Sequence, residues 1–197
     1  MKEWFFNNLW ELIGTISGLI YLYLSVKQNI WLWVVGFFSS TCYIFVFWDS
    51  QLYGDMVLQF YYLLVSIYGL WHWKHQSATQ KTTLKISNLT IKEWILIVSI
   101  WIIGFALTGY ILKKFTGASL PFIDMFVTVG SFIATWLLAR KVIENWLLWV
   151  MIDAISVFMF LFKELYLTAF LFLIYTCIAW WGYLKWKKSI EKISVSL

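Results

Sequence analysis

Long apolar runs, broken by short polar stretches, fill this chain from residue 10 to residue 186. Seven runs stand at about 10–26, 30–48, 52–73, 93–112, 121–139, 146–162 and 165–186. Each is near the ~20 apolar residues that a helix needs to cross a bilayer core of about 30 Å. A barrel would instead show strands of about ten alternating residues. The pattern predicts an all-α integral membrane protein with seven transmembrane helices. The breaks are small: Lys27-Gln28-Asn29, Asp49-Ser50-Gln51, Lys113-Lys114 with Gly117-Ala118-Ser119, and a tight turn at Lys163-Glu164. Only residues 75–92 make a substantial loop, polar and basic. Gly14 and Gly18 form a small-xxx-small pair that permits close helix contact. Pro121 suits the first turn of the fifth helix.

Polar residues inside these runs keep helical spacing. Asp55, Gln59, Tyr62, Ser66 and Gly69 share one face of the third helix, and Asp124, Thr128, Ser131 and Thr135 one face of the fifth. The second carries Ser39-Ser40-Thr41 near its middle. The fourth has no ionisable residue in its middle and reads as a linker or packing helix. In the sixth, Asn145, Trp149 and Asp153 follow at i, i+4 and i+8. They spread over roughly 12 Å at about 1.5 Å per residue. Asp153 then lies about half a span from either surface, where a carboxylate is costly unless it pairs, meets water or binds something.

Composition agrees. The chain is 62% hydrophobic and 13% charged over 197 residues, and its mean hydropathy is +0.77. Soluble domains are nearer half apolar and a quarter charged. The net charge of +5 comes from basic residues beside apolar runs, so positive-inside topology explains it better than nucleic acid does. One side would hold Lys27, Lys74, Lys81, Lys85, Lys92, Arg140, Lys141, Lys185, Lys187, Lys188 and Lys192, and the other Lys2, Lys113, Lys114 and Lys163. This places the N-terminus outside and the C-terminus in the cytoplasm. Glu3 and Glu11 argue against a cleaved signal peptide. Cys42 and Cys177 fall in apolar runs without metal-ligand spacing.

The chain matches itself. A shift of 116 pairs Gly14 with Gly130, Val26 with Val142, Asn29 with Asn145 and Trp33 with Trp149. After three residues are dropped at the turn before the third helix, a shift of 113 pairs Tyr53 with Tyr166, Tyr62 with Tyr175, Gly69 with Gly182 and Trp73 with Trp186. On this reading Asp153 corresponds to Phe37, and Gln59 to Phe172. Helices 1–3 and 5–7 would be a 3+1+3 parallel repeat, a design that places substrate at the repeat interface near the midplane. One transmembrane domain is expected: a first repeat at about 10–73, a linker loop and fourth helix at 74–120, a second repeat at 121–186 and a basic cytoplasmic tail at 187–197.

The candidate substrate residues are Trp149, Asp153, Gln59, Trp33, Tyr62, Tyr175, Thr128, Ser131, Thr135 and Asn145. Asp153 is either a counter-charge for a cationic ligand or a carboxylate satisfied within the fold. Trp149 either stacks on a flat cationic ring or packs and anchors, and Trp146 reads as an anchor. Gln59 either reads a polar ligand or bonds another helix, and the hydroxyls either line a cavity or satisfy backbone. Asp55 and Asp124, near helix N-termini, read as structural. His72 and His75 read as solvated. No G-x-x-x-x-G-K-[ST], H-E-x-x-H or G-x-S-x-G occurs, so no enzyme, metal or cofactor is indicated. A neutral sugar would gain nothing from a buried carboxylate. A membrane-bound enzyme or signalling subunit is the more distant alternative.

Three stretches carry a resemblance. They are Leu52-Tyr53-Gly54-Asp55 through Gln59, Tyr68-Gly69-Leu70-Trp71-His72-Trp73, and Arg140-Lys141-Val142-Ile143-Glu144-Asn145-Trp146-Leu147-Leu148-Trp149 with Asp153-Ala154-Ile155-Ser156-Val157. The chain resembles the PnuC family of bacterial vitamin transporters, and its 3+1+3 arrangement is similar to that of the SWEET sugar transporters. The resemblance implies facilitated diffusion of nicotinamide riboside, a small-molecule vitamin precursor, across the bacterial inner membrane. It implies trapping by a cytoplasmic kinase and admits a homotrimer. The chain departs from the nicotinamide riboside pattern at Gly36-Phe37-Phe38-Ser39, where Gly-x-x-Asn is frequent, and at Asp153, where Asn can stand. Thiamine is the alternative substrate within the family, since both vitamins carry a flat cationic ring.

Overall fold

A computed structural model describes residues 9–49, 53–80, 85–117 and 119–195. Seven helices follow in order: α1 Leu9–Val26, α2 Trp31–Asp49, α3 Tyr53–Gln80, α4 Ile91–Phe115, α5 Pro121–Ala139, α6 Asn145–Phe162 and α7 Tyr166–Val195. Among the described residues the only β pairing is an isolated bridge between Ser87 and Val142. Between their ends, helices close their backbone hydrogen bonds internally, as a lipid environment demands. Among the described residues, five segments are long and apolar enough to cross a membrane: Trp31–Asp49, Ile91–Phe115, Pro121–Ala139, Asn145–Phe162 and Tyr166–Glu191. The shorter apolar stretch Ile16–Val26 lies in α1.

The chain divides into two compact units, residues 1–84 and 85–197. In the first, α1 packs on α2 and α2 on α3; in the second, α4 packs on α5, α5 on α6 and α6 on α7. The core of the second unit gathers Trp101, Ala134, Leu137, Val142, Leu148 and Ile152, with Trp149 packed against it. Trp101 of α4 donates its indole N–H to the Phe126 carbonyl of α5 at 2.9 Å and stacks on the Phe126 ring. The fourth helix is thus a packing helix of the second unit.

Several ends differ from the pattern of runs. α4 begins at Ile91 rather than near 93, because Thr90 and Glu93 form a reciprocal capping box. α3 continues to Gln80 and α7 to Val195. No Pro or Gly interrupts the polar residues beyond 73 and 186, so hydrophobicity stops there but the helix does not. Lys2, residues 50–52, Lys81 and Ala118 lie outside the described residues, as do the side chains of Asp55 and Lys192.

Three reversals share one backbone device. Gln28, Lys141 and Glu164 have φ of 56°, 58° and 59°. Each donates its N–H three residues back, to Ser25, Leu138 and Leu161. The next N–H reaches five residues back, from Asn29 to Leu24, Val142 to Leu137 and Leu165 to Phe160. This is the Schellman closure, built here without glycine.

The first two reversals, at Gln28 and Lys141, are 113 residues apart. The same separation holds through the ring packing. Trp33 meets Trp73 edge-on at 5.6 Å, and Trp146 meets Trp186 edge-on at 5.7 Å. A Cβ on Gly69 would sit 2.5 Å from the Trp33 ring, and one on Gly182 would sit 2.7 Å from the Trp146 ring. Only glycine lets the indole so near. The geometric partner of Trp33 is therefore Trp146, not Trp149. The partner of Asp153 is Ser40, not Phe37, and both are 5% exposed.

Candidate substrate site

Thr128, Ser131 and Thr135 stand on α5, Asn145, Trp149 and Asp153 on α6, and Tyr175 on α7. All belong to the second unit, whereas Trp33, Gln59 and Tyr62 belong to the first.

The hydroxyl hydrogens of α5 are already committed. Thr128 donates to the Asp124 carbonyl at 2.9 Å, Ser131 to Val127 at 2.9 Å and Thr135 to Ser131 at 2.8 Å. Such back-bonding removes the polar cost of a hydroxyl within a helix and leaves its lone pairs as acceptors. Ser131 and Thr135 are buried and Thr128 is half-buried. Asp124 pairs with Lys163 at 3.1 Å, joining the start of α5 to the end of α6.

On α6, Asn145 is fully buried and donates its amide to the Val142 carbonyl at 2.6 Å. Its Oδ1 is buried without a partner among the described residues. Trp149 is half-buried, so part of its ring remains open. Asp153 is buried, and among the described residues its carboxylate has neither a hydrogen bond nor an ion pair. A group of this kind is expensive without a compensating contact. Ser156, one turn further on, is fully buried and back-bonds to Ile152 at 2.9 Å.

The aromatic candidates separate into two kinds. Trp33 is 1% exposed, with its ring held against Gly69 and the edge of Trp73. It serves as a packing pillar, and so does Trp146, which an anchor assignment does not describe. Both indole N–H groups are buried without acceptors among the described residues. Tyr62 and Tyr175 are half-buried, Tyr62 beside Tyr61 and Tyr175 against the edge of Phe172. Gln59 is half-buried on α3.

The chain also matches known proteins. The profile of the nicotinamide mononucleotide transporter family spans residues 8–188. The chain belongs to this family. It is 27% identical over 206 residues to the nicotinamide riboside transporter PnuC of Escherichia coli (strain K12), with 92% of this chain and 86% of that one covered. It is 25% identical over 180 residues to the riboflavin/roseoflavin transporter RibM of Streptomyces davaonensis, with 89% and 83% covered. A solved structure described as the vitamin B3 transporter PnuC superposes with a TM-score of 0.72 at 24% identity, over 94% of this chain and 83% of that one. At that identity the likeness speaks for the fold.

As a member of the PnuC family, the chain is a multi-pass membrane transporter of the bacterial inner membrane. A cleft of about 260 Å³ in the second unit lies away from Asp153. It is lined by Asn88, Glu144, Tyr183 and Lys187 among others, at the start of α6. Glu144 sits inside the family-like stretch but has no periodic partner in sequence. Its contact, the Leu89 N–H, is 55 residues away. No spacing argument reaches that far.

Proposed function

We propose that this PnuC-family chain imports nicotinamide riboside by facilitated diffusion, with a cytoplasmic kinase trapping the product. The observation that carries the reading is Asp153: a buried carboxylate without a partner among the described residues, one helical turn beyond a half-buried tryptophan, in a chain similar to a named nicotinamide riboside transporter. Trp149 stacks on the flat pyridinium ring, Asp153 offsets its charge, and the acceptor lone pairs on α5 read the polar groups. No bond is made or broken, so no enzymatic step is required. All seven helices cross the membrane as a parallel 3+1+3 repeat, N-terminus outside and C-terminus inside. A homotrimer is the assembly we assign.

Thiamine is the second reading, favoured by one observation. Asp153 is an acid at a position where the nicotinamide riboside pattern can carry Asn.

The test is uptake into proteoliposomes of labelled nicotinamide riboside, thiamine and riboflavin in parallel, without ATP or an ion gradient. Nicotinamide riboside should enter. Asp153→Ala and Trp149→Ala should each weaken its binding by about 1–2 kcal/mol, on the order of tenfold in affinity. Thiamine entering instead selects the second reading. Native uptake in both variants, with the protein well folded, sinks the site.

A further inference from the structure

Two reversals in this molecule share a backbone but are held differently. After α1, the turn is closed by its own sequence: Asn29 Oδ1 accepts the Trp31 N–H at 3.0 Å. After α5, the corresponding residue is Val142, whose side chain cannot accept. There a distant segment does the holding. The Ser87 N–H donates to the Lys141 carbonyl at 3.1 Å, and the Ile143 N–H donates to the Ser87 carbonyl at 3.0 Å. The Leu89 N–H donates to Glu144 Oε1 at 3.0 Å. Next in sequence, Thr90 caps α4, so the segment is anchored at that end.

The turn needs such support. Lys141 is a non-glycine residue in the left-handed region, and that conformation persists where its surroundings over-determine it. Glu144 gives this support against its own interest, because Oε2 is buried without a partner among the described residues. A residue present only for packing would avoid that arrangement. Asn145, Trp149 and Asp153 follow directly on the helix that starts here.

We propose that residues 85–89 form a strap across the entry to α6, and that Glu144 is the positioning residue that fastens it and thereby sets the substrate-facing residues of α6. The positioning half rests on the transport reading above.

The test uses the full chain in nanodiscs and proteoliposomes, with Glu144→Ala, Glu144→Gln and Leu89→Pro, the last deleting the donor instead of the acceptor. Amide exchange at Ser87 and Ile143 should quicken on the order of tenfold in Glu144→Ala, the scale of one hydrogen bond to a charged acceptor. The half-saturation concentration for nicotinamide riboside should rise while the maximal rate changes less. Glu144→Gln, whose amide oxygen still accepts, should restore both. Combining Glu144→Ala with Leu89→Pro should cost no more than the worse single change. Unchanged exchange in Glu144→Ala, or Glu144→Gln behaving like Glu144→Ala, overturns the strap. Faster exchange with native half-saturation overturns the positioning role. The exchange arm needs no substrate, so it judges the strap even if the chain carries a different vitamin.

Discussion

Lys141 combines two unfavourable features at one residue. Its backbone is left-handed and the residue is 4% exposed. Burial pushes its amine down to about 8. Between there and the ordinary lysine value of 10.5, the unfolded chain binds the proton and the folded chain does not. Folding stability therefore rises with pH across that window, by up to the order of 3 kcal/mol. Thermal unfolding in detergent from pH 7.5 to 10.5 should show the rise, and Lys141→Met should flatten it. The sequence offered no hint of this, since a lysine in a turn ordinarily reads as solvated. Asp153 is the opposite case. Its i+8 spacing from Asn145 announced a carboxylate deep in a helix, and it is buried there. That the α5 hydroxyls would turn back onto their own helix was not legible, because the same spacing serves a cavity face and a self-satisfied one.

At the scale of elements, apolar runs marked where helices exist and marked their ends poorly. α3 and α7 outlast their hydrophobic stretches, and α4 starts where its capping box dictates. The internal match shows the same limit. Identical letters drew Asn29 to Asn145 and Trp33 to Trp149, whereas the backbone keeps one separation through the reversals and the ring pairs. What recurs at that separation is glycine and indole geometry rather than identity of letters. It predicts matched responses. Gly69→Ala and Gly182→Ala should each drive an indole from its seat and destabilise by about 1–3 kcal/mol. Thermal unfolding followed by tryptophan fluorescence would measure both, and a loss confined to one would break the correspondence.

For the whole molecule, the imbalance of basic residues makes a topological prediction. The positive-inside rule puts Arg140, Lys141 and the lysines around residue 187 on the cytoplasmic side. A phosphatase fused after Leu197, active only outside the cytoplasm, should stay silent, and a fluorescent protein fused there should glow. The reverse result would invert the topology and place the Glu144 strap at the outer face. Class and membrane character were legible because lipid constrains sequence so strongly. The strap was not, because it joins residues 87 and 142 through contacts that leave no periodic trace.

The joint made by an indole, a glycine and a second indole occurs twice, once in each unit. The molecule thus carries its own reference sample. A change at Trp146 has a twin at Trp33, and damage that is merely architectural should be the same in both. Any excess at one twin measures what that half does for its cargo, with the other half as the blank.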